Sequence, residues 1–515
     1  MSDSGPQSGA SETKQASKFS QYMTLLAALL GWLFDGFEMG LFPLIGTPAL
    51  KDLLGSGSPE SDAASWFGAI IAVFLVGAAS GGVLFGWLGD KIGRVRAMSL
   101  SIFTYAIFTG LCGFATEAWH IAVLRFVASL GMGGEWSLGV ALVNEIWPGK
   151  SRAFIAGLIG AAANVGFLAV ALLSMGLTGF IESIHTLLLN IGLSEEATAS
   201  LLQNSAWRFL MICGAFPALL IFLIRLFVPE SSRWEEEHAK GTTSNWQNAD
   251  LGGVLIGCLA AIGIIAAWSP MGANLSVALK IVITLGGLAI ALVGYLYPVR
   301  KYLERSIAGG SLGSEQKKRV LGRMMLGAGL AGVSLLGTWG SIQWAPRWAA
   351  QLQPNTETVK YYAKEYTQIA TAIGAIVATI VAPVAAGMYG RRITYTTMCL
   401  ASIAAALYFY NGVNVFGTHF LVAAFFAGGI TASFYGFFPL YFPELFPTAV
   451  RATGQGFSFN FGRIVAAVGG LQTANLIKAF DGNFPKAGSV MAVIYLVGAV
   501  IIWFGPETGG LDHND

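Results

Sequence analysis

Charge is scarce in this chain. Asp, Glu, Lys and Arg make up 11% of its 515 residues, and 55% are hydrophobic. An ordinary soluble domain carries roughly 25% charge, so a soluble globular protein is excluded. The formal net charge is only +2, which argues against a nucleic-acid partner. Cysteine is also sparse. Cys112, Cys213, Cys258 and Cys399 all sit in apolar runs without metal-ligand spacing and read as packed thiols. The five histidines fall in or beside predicted loops, which excludes a histidine proton relay inside a membrane. The first 18 residues are polar and serine-rich and lack the apolar core of a cleavable signal. They read as a disordered tail. No metal cluster, nucleophile motif or cofactor loop is visible, so an enzyme is not expected and no cofactor is implied.

Long apolar runs are abundant. Six fall at 22–46, 65–88, 97–115, 121–143, 154–177 and 207–228. Two more lie at 251–268 and 275–297. Another six lie at 320–344, 367–386, 394–410, 420–442, 454–477 and 490–504. Each is close to the ~20 residues that span a bilayer. The expected fold class is an all-α polytopic membrane protein with 14 transmembrane helices. Segment 181–205 is interrupted by Glu195 and Glu196 and reads as an external amphipathic stretch. The loops 90–96 and 300–323, and Arg391 with Arg392, are basic, whereas 51–62 and 182–196 are acidic or mixed. The positive-inside rule then puts both termini in the cytoplasm. A cell-membrane location is expected (the inner membrane in a bacterium), and the lipid bilayer is the one large partner implied.

The chain repeats itself. Glu145-Ile-Trp-Pro148 with Arg152-Ala153 matches Glu444-Leu-Phe-Pro447 with Arg451-Ala452, 299 positions on, and Gly93-Arg94 matches Gly390-Arg391, 297 positions on. Two matches at nearly one offset indicate two related six-helix halves. The expected organisation is a tail at 1–18, an N-terminal half at 19–230, a central segment with an extra helix pair at 231–318, a C-terminal half at 319–506 and a tail at 507–515. An even-numbered insertion leaves the halves in the same orientation.

Within the apolar runs a few charges stand out, because charge deep in a membrane helix costs several kcal/mol. Asp35 and Glu38 lie in the first run, Arg125 and Glu135 in the fourth, and Arg463 in the run at 454–477. At ~1.5 Å per residue, Asp35 lies roughly 20 Å into its helix and Arg463 about 18 Å into its own. Arg125 lies about 9 Å below the outer surface, and Glu135 ten residues deeper. The plain reading of each is a static structural tie. The functional one is a proton or substrate site.

The spacing G-x-x-x-D-K-x-G-R-x-R across Gly86, Asp90, Lys91, Gly93, Arg94 and Arg96 is specific. On it the chain resembles the major facilitator superfamily. Its second copy, Gly387-Met-Tyr-Gly390-Arg391-Arg392, is degenerate, with Gly387 at the position of Asp90. Pro229-Glu230-Ser231-Ser232-Arg233-Trp234 and Pro506-Glu507-Thr508 are similar to motifs of the sugar-porter-like branch. The W-x-x-D-G-F-E run at Trp32–Glu38, the R-x5-G-x-G-G-E run at Arg125–Glu135 and the P-E-L-F-P-T-x-V-R-A-T-G-Q-G run from Pro443 are similar to the metabolite–proton symporters, above all the sialate–proton symporter group.

The resemblance implies a major facilitator fold. The function it implies is proton-coupled uptake of a small organic acid, such as sialic acid or a monocarboxylate, by alternating access. The energy source is a proton gradient, the partners are an organic anion and protons, and a monomer suffices. It further implies that Asp35 pairs with Arg125 and carries the proton. Glu135 and Glu38 are further proton-coupling candidates. Arg463 is the candidate for the substrate carboxylate, with Asn164, Gln343, Tyr435, Asn460 and Gln472 as polar pocket groups. Glu145, Arg152, Glu230, Arg233, Glu444 and Arg451 are expected to join Asp90, Lys91 and Arg94 in a cytoplasmic gate. The seventh helix of the family's hexose porters carries paired glutamines and an asparagine. Here it has Gln343 alone, which puts a hexose in doubt. A neutral-sugar transporter and a transporter-derived membrane sensor are the rival readings.

Overall fold

The computed structural model describes residues 18–55, 60–147, 151–220, 224, 227–272, 274–310, 313–352 and 362–508. The expected tails therefore lie outside the described residues, apart from Lys18 and 507–508. The described chain is helical throughout. In the first half, α1 is Lys18–Leu54, α2 Glu60–Ile92, α3 Arg94–Leu111, α4 Ala118–Ile146, α5 Arg152–Asn190 and α6 Glu195–Cys213. The centre holds a short α7, Ser232–Ala239, then α8, Leu251–Trp268, and α9, Val277–Ala308. The second half holds α10 Ser314–Gly340, α11 Ala363–Tyr389, α12 Arg391–Gly412, α13 Thr418–Ala432, α14 Phe434–Leu445, α15 Arg451–Ala479, α16 Phe484–Ala492 and α17 Tyr495–Ile501.

Among the described residues, 12 helical segments are long and apolar enough to cross a membrane. Helices suit this solvent because lipid offers backbone groups no partners. Of the two other expected spans, 454–477 lies inside the 29-residue α15. The other, 207–228, falls partly outside the described residues. Beyond its apolar part, α5 runs on to Asn190, and α6 breaks at Asn204, Ser205 and Ala206, all at positive φ. Asp52 ties that break down, accepting hydrogen bonds from Asn204 Nδ2 at 2.7 Å and Trp207 Nε1 at 3.0 Å.

Glycine decides how closely the helices cross. A Cβ on Gly133 of α4 would run into the Ala78 carbonyl of α2, and one on Gly81 of α2 into the Leu130 carbonyl of α4. The same close approach joins α1 and α5 at Gly36 and Gly166. Small residues substitute here for the hydrophobic drive that a bilayer cannot supply.

The internal repeat is visible in detail. Gly93 and Gly390 each turn the chain into a new helix at φ 110° and 90°, a region that disfavours other residues. Glu230 accepts from the Arg94 and Val95 amides that open α3. Glu507 does the same for the Arg391 and Arg392 amides that open α12. The two Pro-Glu motifs are thus equivalent helix caps.

The inserted pair lies against α2 of the first half and α15 of the second. Tyr295 of α9 hydrogen-bonds Ser80 of α2 at 2.7 Å, and its ring meets Phe461 of α15 edge-on at 6.4 Å. At the end where α1 begins, Arg305 clasps Asp250 at 2.7 and 2.5 Å, and Trp246 stacks on Tyr302 at 4.3 Å.

Candidate functional site

The two halves line a partly open cavity, with about 1100 Å³ of space free of protein atoms including its open mouth. Trp32, Asp35, Trp136 and Asn164 wall it from the first half, and Trp339, Gln343, Gln368, Tyr435 and Arg463 from the second. Its surface is mostly aromatic and aliphatic with few polar groups, as expected of a small-molecule site. Four of the six expected pocket groups line it: Asn164, Gln343, Tyr435 and Arg463. Asn460 does not. Its amide donates to the Gly133 carbonyl at 3.2 Å and the Gly456 carbonyl at 3.0 Å, so it joins α15 to α4 outside the cavity lining. Gln472 also lies off the lining and accepts from Asn475.

The expected pairing of Asp35 with Arg125 is not what forms. Arg125 Nη1 lies 3.0 Å from Glu38 Oε1, which also accepts from Thr109 Oγ1 at 3.2 Å. The guanidinium sits 4.8 Å from the centre of the Phe42 ring and 4.6 Å from that of Phe74. Glu38 stands one helical turn beyond Asp35, nearer the end at which α4 begins, and it meets Arg125 there. The Arg125–Glu38 pair is buried and does not line the cavity.

Asp35 faces the cavity instead. Its electrostatic neighbours are Glu135, Arg463 and Glu38. Arg463 comes from the opposite half, and Asp35 is the carboxylate that acts on it. The Arg463 guanidinium lies 5.2 Å from the centre of the Phe459 ring. Glu135 is buried behind the cavity wall, where Gly31 leaves room for its carboxylate. Among the described residues, neither Glu135 oxygen meets a donor in hydrogen-bonding geometry, nor does Asp35 Oδ1, and Arg463 Nη1 meets no acceptor. Two buried carboxylates beside one cation form a cluster with negative charge in excess. Such a cluster is costly unless it takes up a proton or a counter-ion.

The halves are latched at the end where α1 begins. Asp90 Oδ2 accepts from the Thr453 amide at 2.9 Å and its hydroxyl at 2.5 Å. Arg94 binds Asp90 at 2.6 Å and Glu145 at 3.3 Å, and also donates to the Thr448 carbonyl at 3.1 Å. Glu145 then takes Arg451 at 3.3 Å. In the second half the equivalent pair, Arg391 with Glu444 at 2.8 Å, stays within that half. Ser231 donates to Glu145, and Thr508 donates to Glu444 in the same way.

Four expected gate residues do other work. Glu230 caps α3 and makes no ion pair among the described residues. Arg152 hydrogen-bonds Asn144 at 2.6 Å. Lys91 reaches Asn248 of the central segment at 2.5 Å. Arg233 forms no ion pair among the described residues and lies near Arg451 and Arg152. Toward the opposite end, the Gln368 amide donates across the halves to the Phe167 carbonyl at 3.1 Å.

Sequence reasoning missed Trp32, Trp136, Trp339 and Gln368 as cavity groups. Tryptophan in an apolar run reads as core packing. For Trp32 a signal existed: it stands three residues before Asp35, on the same helical face.

A cavity between two related helical halves, latched at one end, is the architecture of parallel-repeat secondary transporters. Residues 23–250 match the family model described as "Sugar (and other) transporter". Along 487 residues the chain is 25% identical to the cis,cis-muconate transport protein of Acinetobacter baylyi, covering 93% of this chain and 92% of that one. It is 28% identical over 221 residues to the sialic acid transporter NanX of Escherichia coli, covering 43% and 47%. Its fold matches the proton:xylose symporter XylE of E. coli bound to 6-bromo-6-deoxy-D-glucose, with a TM-score of 0.63 at 18% identity over 95% of this chain and 97% of that one. The first half thus matches the sugar and metabolite transporter model, and the whole chain has the fold of these major facilitator transporters.

Proposed function

We propose that this protein is a symporter that couples proton entry to uptake of a small organic acid. The observation that carries the reading is Asp35 and Arg463 facing one cavity from opposite halves, with Glu135 behind Asp35. With the cavity empty, Arg463 is drawn toward Asp35. A substrate carboxylate competes for the guanidinium, which binds carboxylates with two parallel hydrogen bonds. Asp35 then faces Glu135 without its counter-charge, and a proton on that pair relieves the repulsion. Anion and proton therefore load together. The latch at Asp90, Arg94, Glu145 and Arg451 holds one end closed while the other admits substrate. The relatives named for muconate and sialic acid support an acidic substrate. The basic loops support a cell-membrane protein with both termini cytoplasmic.

Purified protein in proteoliposomes tests this directly. Adding sialic acid or a monocarboxylate outside should acidify the lumen and drive accumulation when the outside is more acidic. Uptake that ignores the pH gradient sinks the proposal.

A neutral sugar is the second reading. It is favoured by the amides of Gln343, Gln368 and Asn164 beside three tryptophans, a surface suited to hydroxyls and ring faces. Competition by glucose and none by carboxylates would establish it.

A further inference from the structure

A second recess lies at the latched end, away from the central cavity. It is an open space of about 1390 Å³ between the start of α10, the start of α12 and the segment after α17. Lys318, Arg319, Arg323 and Arg392 line it, together with the carboxylate of Glu315. Arg323 donates to the Leu445 carbonyl at 2.8 Å, and Arg392 to the Gly505 carbonyl at 3.0 and 2.6 Å. These bonds fix both guanidiniums in place through neutral carbonyl partners. Arg319 is close enough to Arg323 to repel it. Glu507 accepts from the Arg392 backbone amide at 3.1 Å, so the four cations stand against two carboxylates, Glu315 and Glu507. Like charges held together by the fold call for an anion.

The apolar side of the recess says which kind. Met325, Leu326, Ile501 and Phe504 form its floor, and Phe504 is 82% exposed. Trp503, whose ring centre lies 6.0 Å from the Arg392 guanidinium, and Tyr389 are also exposed, as aromatic residues are where a bilayer meets water. Fixed cations above and bare hydrocarbon surface below match the two parts of one molecule. We propose that this recess is a binding site for an anionic phospholipid, with the headgroup phosphate on Arg323 and Arg392, Lys318 and Arg319 around it, and an acyl chain along Leu326, Ile501 and Phe504. A free phosphate would use the cations and leave the floor bare.

Native mass spectrometry of the full chain in detergent tests the site. It would be titrated with phosphatidylglycerol or with phosphatidylcholine of the same acyl chains. Wild type should retain phosphatidylglycerol in preference. The double variant Lys318→Gln/Arg319→Gln, on exposed positions that leave folding intact, should lose the preference by about fivefold per removed cation. The remote variant Lys240→Gln should keep it. Equal retention of the two lipids, or a double variant that behaves as wild type, overturns the proposal. So does complete displacement by glycerol phosphate at the lipid's own concentration, which would mark a site for free anions. None of these readouts depends on what the central cavity carries.

Discussion

Glu145 and Arg451 stand 306 positions apart in sequence and meet at 3.3 Å, joining the two halves through a buried contact. Glu145 holds Arg94 of its own half with the same oxygen, again at 3.3 Å. Glu145 therefore bridges two buried guanidiniums, sharing Arg94 with Asp90.

Removing it should open this end. Glu145→Ala leaves Arg94 and Arg451 buried with less compensation, and breaking a buried pair costs about 3–5 kcal/mol. Spin-label distances between the ends of α2 and α15 should lengthen, with the population moving to a form open at this end. A distance distribution identical to wild type would show that the latch does not hold the halves.

Asp35 and Glu38 should behave oppositely despite being one turn apart. Asp35→Asn keeps the shape of the cavity but removes a charge facing Arg463. Exchange of substrate across the membrane should persist, while accumulation against a gradient is lost. Equal loss of both activities would mean that Asp35 only shapes the site.

Glu38→Gln instead strands Arg125, so the loss should appear in stability. The melting temperature should fall, and the double variant Glu38→Leu/Arg125→Leu should recover much of it, since a buried pair can often be replaced by apolar residues. Lack of recovery would argue for a role beyond a structural tie.

Arg463→Gln should weaken substrate binding with little effect on folding, because the residue lines a cavity. Losing a charge-assisted hydrogen-bonded contact of about 1.5–3 kcal/mol corresponds to roughly 10- to 100-fold in affinity. Binding of an acidic ligand by calorimetry reads this out. An unchanged affinity would remove Arg463 from the site.

Much of this architecture could be read from the chain. The repeat linking Glu145 to Glu444 foretold an equivalence that extends to an arginine and a hydroxyl on each. Apolar run length marked the helices, because lipid imposes that length. The partner of Arg125 was not legible. Positions 35 and 38 differ by only about 4.5 Å along a helix, less than the reach of an arginine side chain. The cap role of Glu230 was hidden for a related reason. A Pro-Glu motif beside basic residues looks like half of an ion pair, and only the fold reveals two backbone amides in front of it. Asn460 and Gln472 failed as pocket groups because a polar residue on a helix carries no mark of which neighbour it faces.

Tyr295 bonds a residue of one half and touches a ring of the other. A rigid helix pair cannot follow both halves if they rock apart. One contact has to slide, and the ring face of Phe461 yields more readily than the hydroxyl bond to Ser80. Under such rocking, the inserted pair would serve as a bearing along which the second half moves. Its surface would set friction, and so turnover rate, without altering how tightly cargo is held.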